Sequence, residues 1–229
     1  MGDCAVPATD LGAGASEDRP SVADVPAEAF GPWRIRTVDV TASTNDDVRL
    51  LAKAGAPQGS VVVARRQEAG RGQWRRVWKS PEGGLYFSFL LRPGTSADEW
   101  PAMSPAIAAD VREALIGHFG IDPAAIRVKL PNDIVCDRGK LCGIVLEAFD
   151  GDCVVVGIGV NVLPPAEPIV TDGRNVPAYA VELADAAWVG AAQAGMPEGR
   201  TWPKAGTPEA CSALDGLLEA ILGQLGHLI

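Results

Sequence analysis

Two runs of β-branched and apolar residues, 141–149 and 153–162, are separated by little more than Asp150-Gly151. Asp-Gly is the dipeptide that best accepts the left-handed backbone of a type I′ turn, so the two runs predict an antiparallel hairpin. Few other features constrain the fold as much, because a hairpin of that length commits the chain to a sheet that is not all parallel. The rest of the chain supplies its partners. Residues 33–40, 60–66, 85–91 and 126–130 read as strands by alternation or β-branching. Ile107, Val111 and Leu115 recur every four residues and predict a helix over 103–117. A shorter helix follows the capping cluster Ser43-Thr44-Asn45-Asp46-Asp47, with Val48, Leu51 and Ala52 on one face and Gly55 and Pro57 as its stop. Near the end, Leu214, Leu217, Leu218, Ile221, Leu222, Leu225 and Leu228 form one stripe of a helix, read as core packing. Hairpins are mixed with helices and no βαβ unit repeats. The expected class is therefore α+β, with a mixed, largely antiparallel sheet flanked by helices.

Charge and cysteine usage narrow the function. The net charge of −9 argues against a general nucleic-acid binder, which needs a basic face to displace counterions from phosphates. No stretch approaches the apolar length of a membrane span, and the N-terminus shows neither the basic nor the apolar part of a secretion signal. Five cysteines form no CxxC pair and only two histidines are present, so no metal site is expected. These features point to a cytoplasmic protein with no nucleic-acid or membrane partner. Residues 1–32 read as an N-terminal arm or tail and 33–229 as one domain.

Against that acidic background one segment stands out. Residues 65–79 hold six cations and one acid, a local charge of +5. A loop so charged is a candidate anion site, with Gly70 and Gly72 permitting close backbone approach and Arg71 offering a forked donor pair. A solvated basic loop is the plain alternative, and neither the P-loop nor the GxGxxG spacing is present. Lys129-Leu130-Pro131-Asn132-Asp133 places a lysine and an asparagine on either side of a strand-breaking proline. That lysine is either a strand-edge charge or a point charge for a reacting phosphoryl or acyl group. Gly143, Gly157 and Gly159 fall inside the hairpin strands, where glycine weakens a sheet unless something must come close. Asn161 ends the second strand.

Taken together, Ser43-Thr44-Asn45, Gln67-x-x-Gly70-Arg71-Gly72, Trp78, Lys129-x-Pro131-Asn132-Asp133, Gly139-Lys140-Leu141-x-Gly143-Ile144 and Gly157-Ile158-Gly159-x-Asn161 resemble the biotin protein ligases, in order and in spacing. The resemblance covers about residues 33–163. It implies the family's catalytic fold, shared with class II aminoacyl-tRNA synthetases and lipoate-attaching enzymes. It also implies the family's reaction: biotin and ATP, the latter with Mg2+, give biotinyl-5′-adenylate, and a lysine of a carboxylase's biotin-carrier domain accepts the biotin. By the same resemblance Ser43, Thr44 and Gln67 meet the ureido head of biotin, while Asn45 and Gly143 shape its pocket. Arg71 and Lys129 face the carboxylate and α-phosphate as the catalytic cations. Gly70, Gly72, Trp78, Asn132, Lys140 and Asn161 fall on the ATP and adenylate side. No residue is matched to a metal.

The sequence departs from the family pattern in three places. Where the family loop runs Gly-Arg-Gly-Arg-x-Gly-Arg, this chain has Gly70-Arg71-Gly72-Gln73-Trp74-Arg75-Arg76. Leu130 stands where the family has tryptophan. Neither an N-terminal DNA-binding domain nor a C-terminal β-barrel domain is expected in this sequence. Two alternatives stay open: a lipoate or octanoate ligase or transferase acting on a lipoyl-type carrier domain, with Cys142 as the residue an ATP-free acyl transfer would use, and a non-catalytic ligand-binding relative. A homodimer is compatible with all three.

Overall fold

The computed structural model describes residues 21–96, 98–170, 176–184 and 203–229. Eight strands form one sheet: β1 (Glu28–Phe30), β2 (Trp33–Thr41), β3 (Ser60–Gln67), β4 (Leu85–Leu91), β5 (Arg127–Lys129), β6 (Asp133–Cys136), β7 (Gly139–Phe149) and β8 (Cys153–Val160). Their order across the sheet is β1-β2-β3-β4-β8-β7-β6-β5. Every neighbouring pair is antiparallel except β2 and β3, which run parallel. That one parallel pair needs a crossover, and helix α1 (Thr44–Lys53) supplies it.

The hairpin between β7 and β8 forms with Phe149 opposite Cys153, so its loop is three residues long. Asp150 and Gly151 take φ values of 50° and 78°, the left-handed backbone that this dipeptide tolerates. Alternation along the strands divides the apolar side chains between two layers. Val61, Val63, Phe87, Phe89, Val154 and Val156 face the larger core under helices α2 (Met103–Phe119) and α3 (Pro208–Gln224). Val62, Leu90 and Val155 face the smaller core under Val48 and Leu51 of α1. Strand β4 lies between both layers, and all seven of its residues are buried.

Helix α2 ends at Gly120, whose φ of 64° lets its N–H close back on Ile116. Thr207 caps α3 by accepting from the Ala210 N–H at 3.4 Å. The leucine stripe expected of α3 packs on α2, and each fully buried Leu there stabilises the fold by about 1.5–3 kcal/mol. Trp33 fastens this helix to the sheet: it is 1% exposed and its Nε1–H donates to the Leu222 carbonyl at 3.0 Å.

The structure differs from the sequence reading in two elements. The segment read as an arm is, over residues 21–32, part of the domain: Val22 is buried in the smaller core and β1 pairs with β2. Three residues of β1 are too few to show a period. Residues 1–20 lie outside the described residues. Strand β6, four residues between Asn132 and the turn before Gly139, was hidden by the proline and asparagine that precede it, and the Leu130–Pro131 peptide is cis.

Candidate active site

The site is built where β7 and β8 lose their side chains. Gly143 and Gly159 are directly opposite in register, and Val145 faces Gly157 two pairs further on, on the same face of the sheet. The opposed glycines leave bare backbone as a floor, and the Trp78 indole lies across it. A Cβ on Gly159 would come 2.5 Å from Trp78 Nε1, and one on Gly143 would come 3.1 Å from Trp78 and Lys140 alike. Lys140 Nζ lies 5.1 Å above the Trp78 ring. With the indole there, the inner cavity has about 40 Å³ of free space. Trp78 Nε1 is buried without a hydrogen-bond partner.

The inner cavity is lined by Ser43, Thr44, Asn45, Gln67, Arg71, Gly72, Trp78, Asn132, Lys140 and Gly143, all of them sequence candidates, together with Gln73, Val145, Gly157 and Gly159. An outer groove of about 690 Å³ adjoins it and is lined by Lys129, Asn161 and Leu130, sharing Gly72, Gln73, Trp78, Asn132 and Lys140 with the cavity. Trp74, Val77, Leu130 and Val170 form an exposed apolar rim on that groove. Gly70 lines neither space. Its Cβ position is filled by the loop itself, 2.5 Å from the Trp78 carbonyl and 2.7 Å from Ser80 Oγ, so the glycine serves loop closure rather than ligand approach.

Capping does not explain the cluster at 43–45. Ser43 holds the N-cap position of α1, yet its hydroxyl makes no capping bond. Thr44 donates from its backbone N–H to Gln67 Oε1 at 2.9 Å, and its hydroxyl is 2.6 Å from Ser88 Oγ. Ser88 in turn donates to Asn45 Oδ1 at 2.6 Å, and Asn45 Nδ2 donates to Glu147 at 2.8 Å. Gln67 Nε2 closes the other end on Ser80 Oγ at 2.8 Å. This chain of bonds crosses the floor from the basic loop to the acidic edge and fixes the rotamers of three candidate residues. Gly157 permits it, since a methyl there would overlap Asn45.

Two of the three candidate cations are already engaged. Arg71 grips Asp46 through two bonds of 2.6 Å, which holds the Asp46 carboxyl below the usual carboxylate range and raises Arg71 further. Lys140 pairs with Asp133 at 2.6 Å. Lys129, on the short outer strand β5, forms no ion pair among the described residues and faces the groove. The two asparagines use their amide donors on the sheet: Asn132 donates to the Ile144 carbonyl at 2.7 Å and Asn161 to the Lys140 carbonyl at 2.9 Å. Both pin β7, and with it Lys140. Cys142 points away from the cavity into the core, and burial pushes its thiol up to about 12. A thiol so placed is no nucleophile.

Sequence reasoning missed Asp46 as a partner of Arg71, along with Ser88, Glu147 and Asp133. A signal existed for Ser88, the one small polar residue in a strand of large apolar and aromatic side chains, and for Glu147, a lone acid in β7. Among the described residues no cluster of three or more His, Cys, Asp or Glu side chains could hold a metal, and no helix is long and apolar enough to cross a membrane.

The site thus sets a bare-glycine floor and a hydroxyl–amide relay beside Arg71 and Lys140 on a mixed sheet. The sequence profile of the biotin/lipoate A/B protein ligase family matches residues 37–161, and the chain belongs to that family. Among its relatives, the bifunctional ligase/repressor BirA of Bacillus subtilis is 37% identical over 129 residues, 54% of this chain and 39% of that protein. The biotin–[acetyl-CoA-carboxylase] ligase of Mycobacterium tuberculosis is 31% identical over 163 residues, 69% of this chain and 61% of that protein. The chain thus spans between about two-fifths and three-fifths of these two relatives' length. A solved biotin protein ligase from Aquifex aeolicus, in complex with biotin and ATP, superposes with a TM-score of 0.59 at 26% identity, covering 84% of this chain and 70% of that one.

Proposed function

We propose that this chain activates biotin with ATP and passes it to a lysine of a biotin-carrier domain. The observation that carries the reading is the pairing of a small inner cavity with a large outer groove, with Lys140 on their shared wall, Arg71 on the cavity side and Lys129 on the groove side. Biotin is a compact bicycle with a polar ureido head and a carboxylate tail. In this reading the head lies against Ser43, Thr44 and Gln67 on the floor of Gly143 and Gly159, after the Trp78 indole has moved from it. The tail then reaches Arg71 in the cavity wall. ATP occupies the outer groove as its magnesium complex, with phosphates and water filling most of the ion's coordination.

The chemistry is adenylation followed by acyl transfer. A carboxylate oxygen of biotin attacks the α-phosphorus and pyrophosphate leaves. The lysine amine of the carrier then attacks the mixed anhydride, and AMP leaves. Negative charge builds on the phosphoryl oxygens in the first step, where Lys129 and Arg71 are the placed positive charges. Lys140 is held toward the groove by Asn161 through its own carbonyl. The Aquifex relative holds biotin and ATP together, which supports the pairing of ligands proposed here.

Pyrophosphate release tests this directly. Release that requires biotin, and that lipoate or octanoate does not replace, is the expected result. Release driven by lipoate or octanoate moves the chain to the other branch of its family, and none with any acid sinks the enzymatic reading.

A further inference from the structure

The Arg71 guanidinium, taken above as the group that meets the biotin carboxylate, already holds a carboxylate. Its two terminal nitrogens fork onto Asp46 at 2.6 Å each. Its remaining forked edge, through Nε, faces Glu147 at 3.9 Å. A planar guanidinium offers an incoming carboxylate two bidentate edges of this kind, and both are confronted by acids. A ligand anion therefore makes a forked contact only after one of them withdraws.

The two acids are not equally free to leave. Glu147 is tied by Arg49 at 2.8 Å and by Asn45 Nδ2 at 2.8 Å, and its side chain is 21% exposed. Asp46 is 43% exposed and has a second cation waiting, Arg49 Nη1 at 3.4 Å, one helical turn along α1. Moving from Arg71 to Arg49 and water costs Asp46 no stranded charge, whereas moving Glu147 would break the relay that fixes Asn45.

We propose that Asp46 is a displaceable counter-ion, a specificity-determining residue that occupies the carboxylate site of Arg71 until a ligand carboxylate takes its place. The exchange sets the affinity for acids and leaves neutral analogues unaffected. An acid gains only the difference between its own contact with Arg71 and that of Asp46, so weakly fitting anions do not hold the site. This rests on the biotin reading above, and the test separates the two.

Calorimetric affinities for biotin and for its uncharged amide, measured without ATP on the wild-type chain and on Asp46→Asn and Asp46→Glu, decide it. Loss of a competing charge-assisted fork in Asp46→Asn is expected to tighten biotin by about tenfold while the amide moves by less than about twofold. Asp46→Glu restores the competing charge and is expected to return biotin toward the wild-type value. The amide also reports that each variant's pocket is intact, which a general structural defect would not spare. Unchanged or weaker biotin binding in Asp46→Asn overturns the exchange and makes Asp46 a support for Arg71. Parallel shifts of acid and amide overturn it too. A wild-type chain that binds neither compound overturns the biotin reading itself, and the exchange falls with it.

Discussion

Lys129 shows how the site's chemistry is divided among single residues. Arg71 and Lys140 are each paired with an internal acid at 2.6 Å, while Lys129 faces the outer groove with no ion-pair partner among the described residues. A charge placed on a developing phosphoryl oxyanion contributes on the order of 3 kcal/mol, about a hundredfold in rate. Lys129→Ala is therefore expected to slow biotin-dependent adenylate formation by about that factor with thermal unfolding unchanged. A rate within about twofold of the parent would make it an ordinary strand-edge lysine. The two loop glycines give a contrast at the same scale. A methyl on Gly70 meets the Trp78 carbonyl at 2.5 Å and Ser80 Oγ at 2.7 Å, whereas one on Gly72 finds nothing nearer than 3.6 Å. Urea unfolding should show Gly70→Ala destabilised by about 1–3 kcal/mol from overpacking and Gly72→Ala changed by less than about 0.5 kcal/mol. Equal midpoints for the two would refute the packing argument.

At the scale of elements, the basic segment is the place where sequence and structure part. Its charge and its two glycines are plain in the sequence and suggest a loop with little to hold it. The structure instead gives it a hairpin-like stem. Gln67 N–H bonds to Ser80 O at 3.1 Å, Trp78 N–H to Gly70 O at 2.9 Å and Gly72 N–H to Arg76 O at 2.7 Å. Only the tip, where Trp74 is 86% exposed with φ of 58°, stands apart. Hydrogen exchange should find the stem amides of Gln67 and Trp78 protected without ligand, and the tip amides protected only with biotin and ATP. Uniform fast exchange across 67–80 would restore the open-loop reading. The hairpin β7–β8 was legible because Asp150-Gly151 is a local signal, and so was the glycine floor, because glycine inside a strand stands out by type. The relay Thr44–Ser88–Asn45–Glu147 was not. Its bonded members lie up to 102 residues apart and meet only once β3, β4, β8 and β7 are side by side. Likewise Asp46 reads locally as a first-turn helix acid, and only the fold turns it toward Arg71.

The whole molecule joins its site to its core through the sheet, with α1 on the site's face and α2 and α3 behind it. The seam between the rear helices contains one titratable weak point. His118, in the last turn of α2, packs edge-on against Phe119 and meets the backbone of Ala213 on α3. Its Nε2 is buried with no hydrogen-bond partner, and burial lowers its pKa from 6.5. Further along the seam, toward the other end of α3, Asp110 of α2 lies 3.7 Å from His227. The sign follows from the proton count. With the folded pKa below the unfolded one, the unfolded chain binds the proton first as pH falls, so stability is full above about 6.5 and declines below it. The decline levels off once pH passes below the folded pKa. Asp110 acts in the opposite sense: burial raises its carboxyl, so the folded chain takes up that proton first as pH falls and its contribution cannot imitate the loss. Urea midpoints measured from pH 8 down to pH 5.5 should fall for the wild-type chain and fall less for His118→Gln, which keeps an amide for Ala213 and removes the titration. If the two chains lose stability in parallel across that range, the weak point is elsewhere. If His118→Gln is the more acid-sensitive of the two, the buried Nε2 has found a partner that accepts its proton.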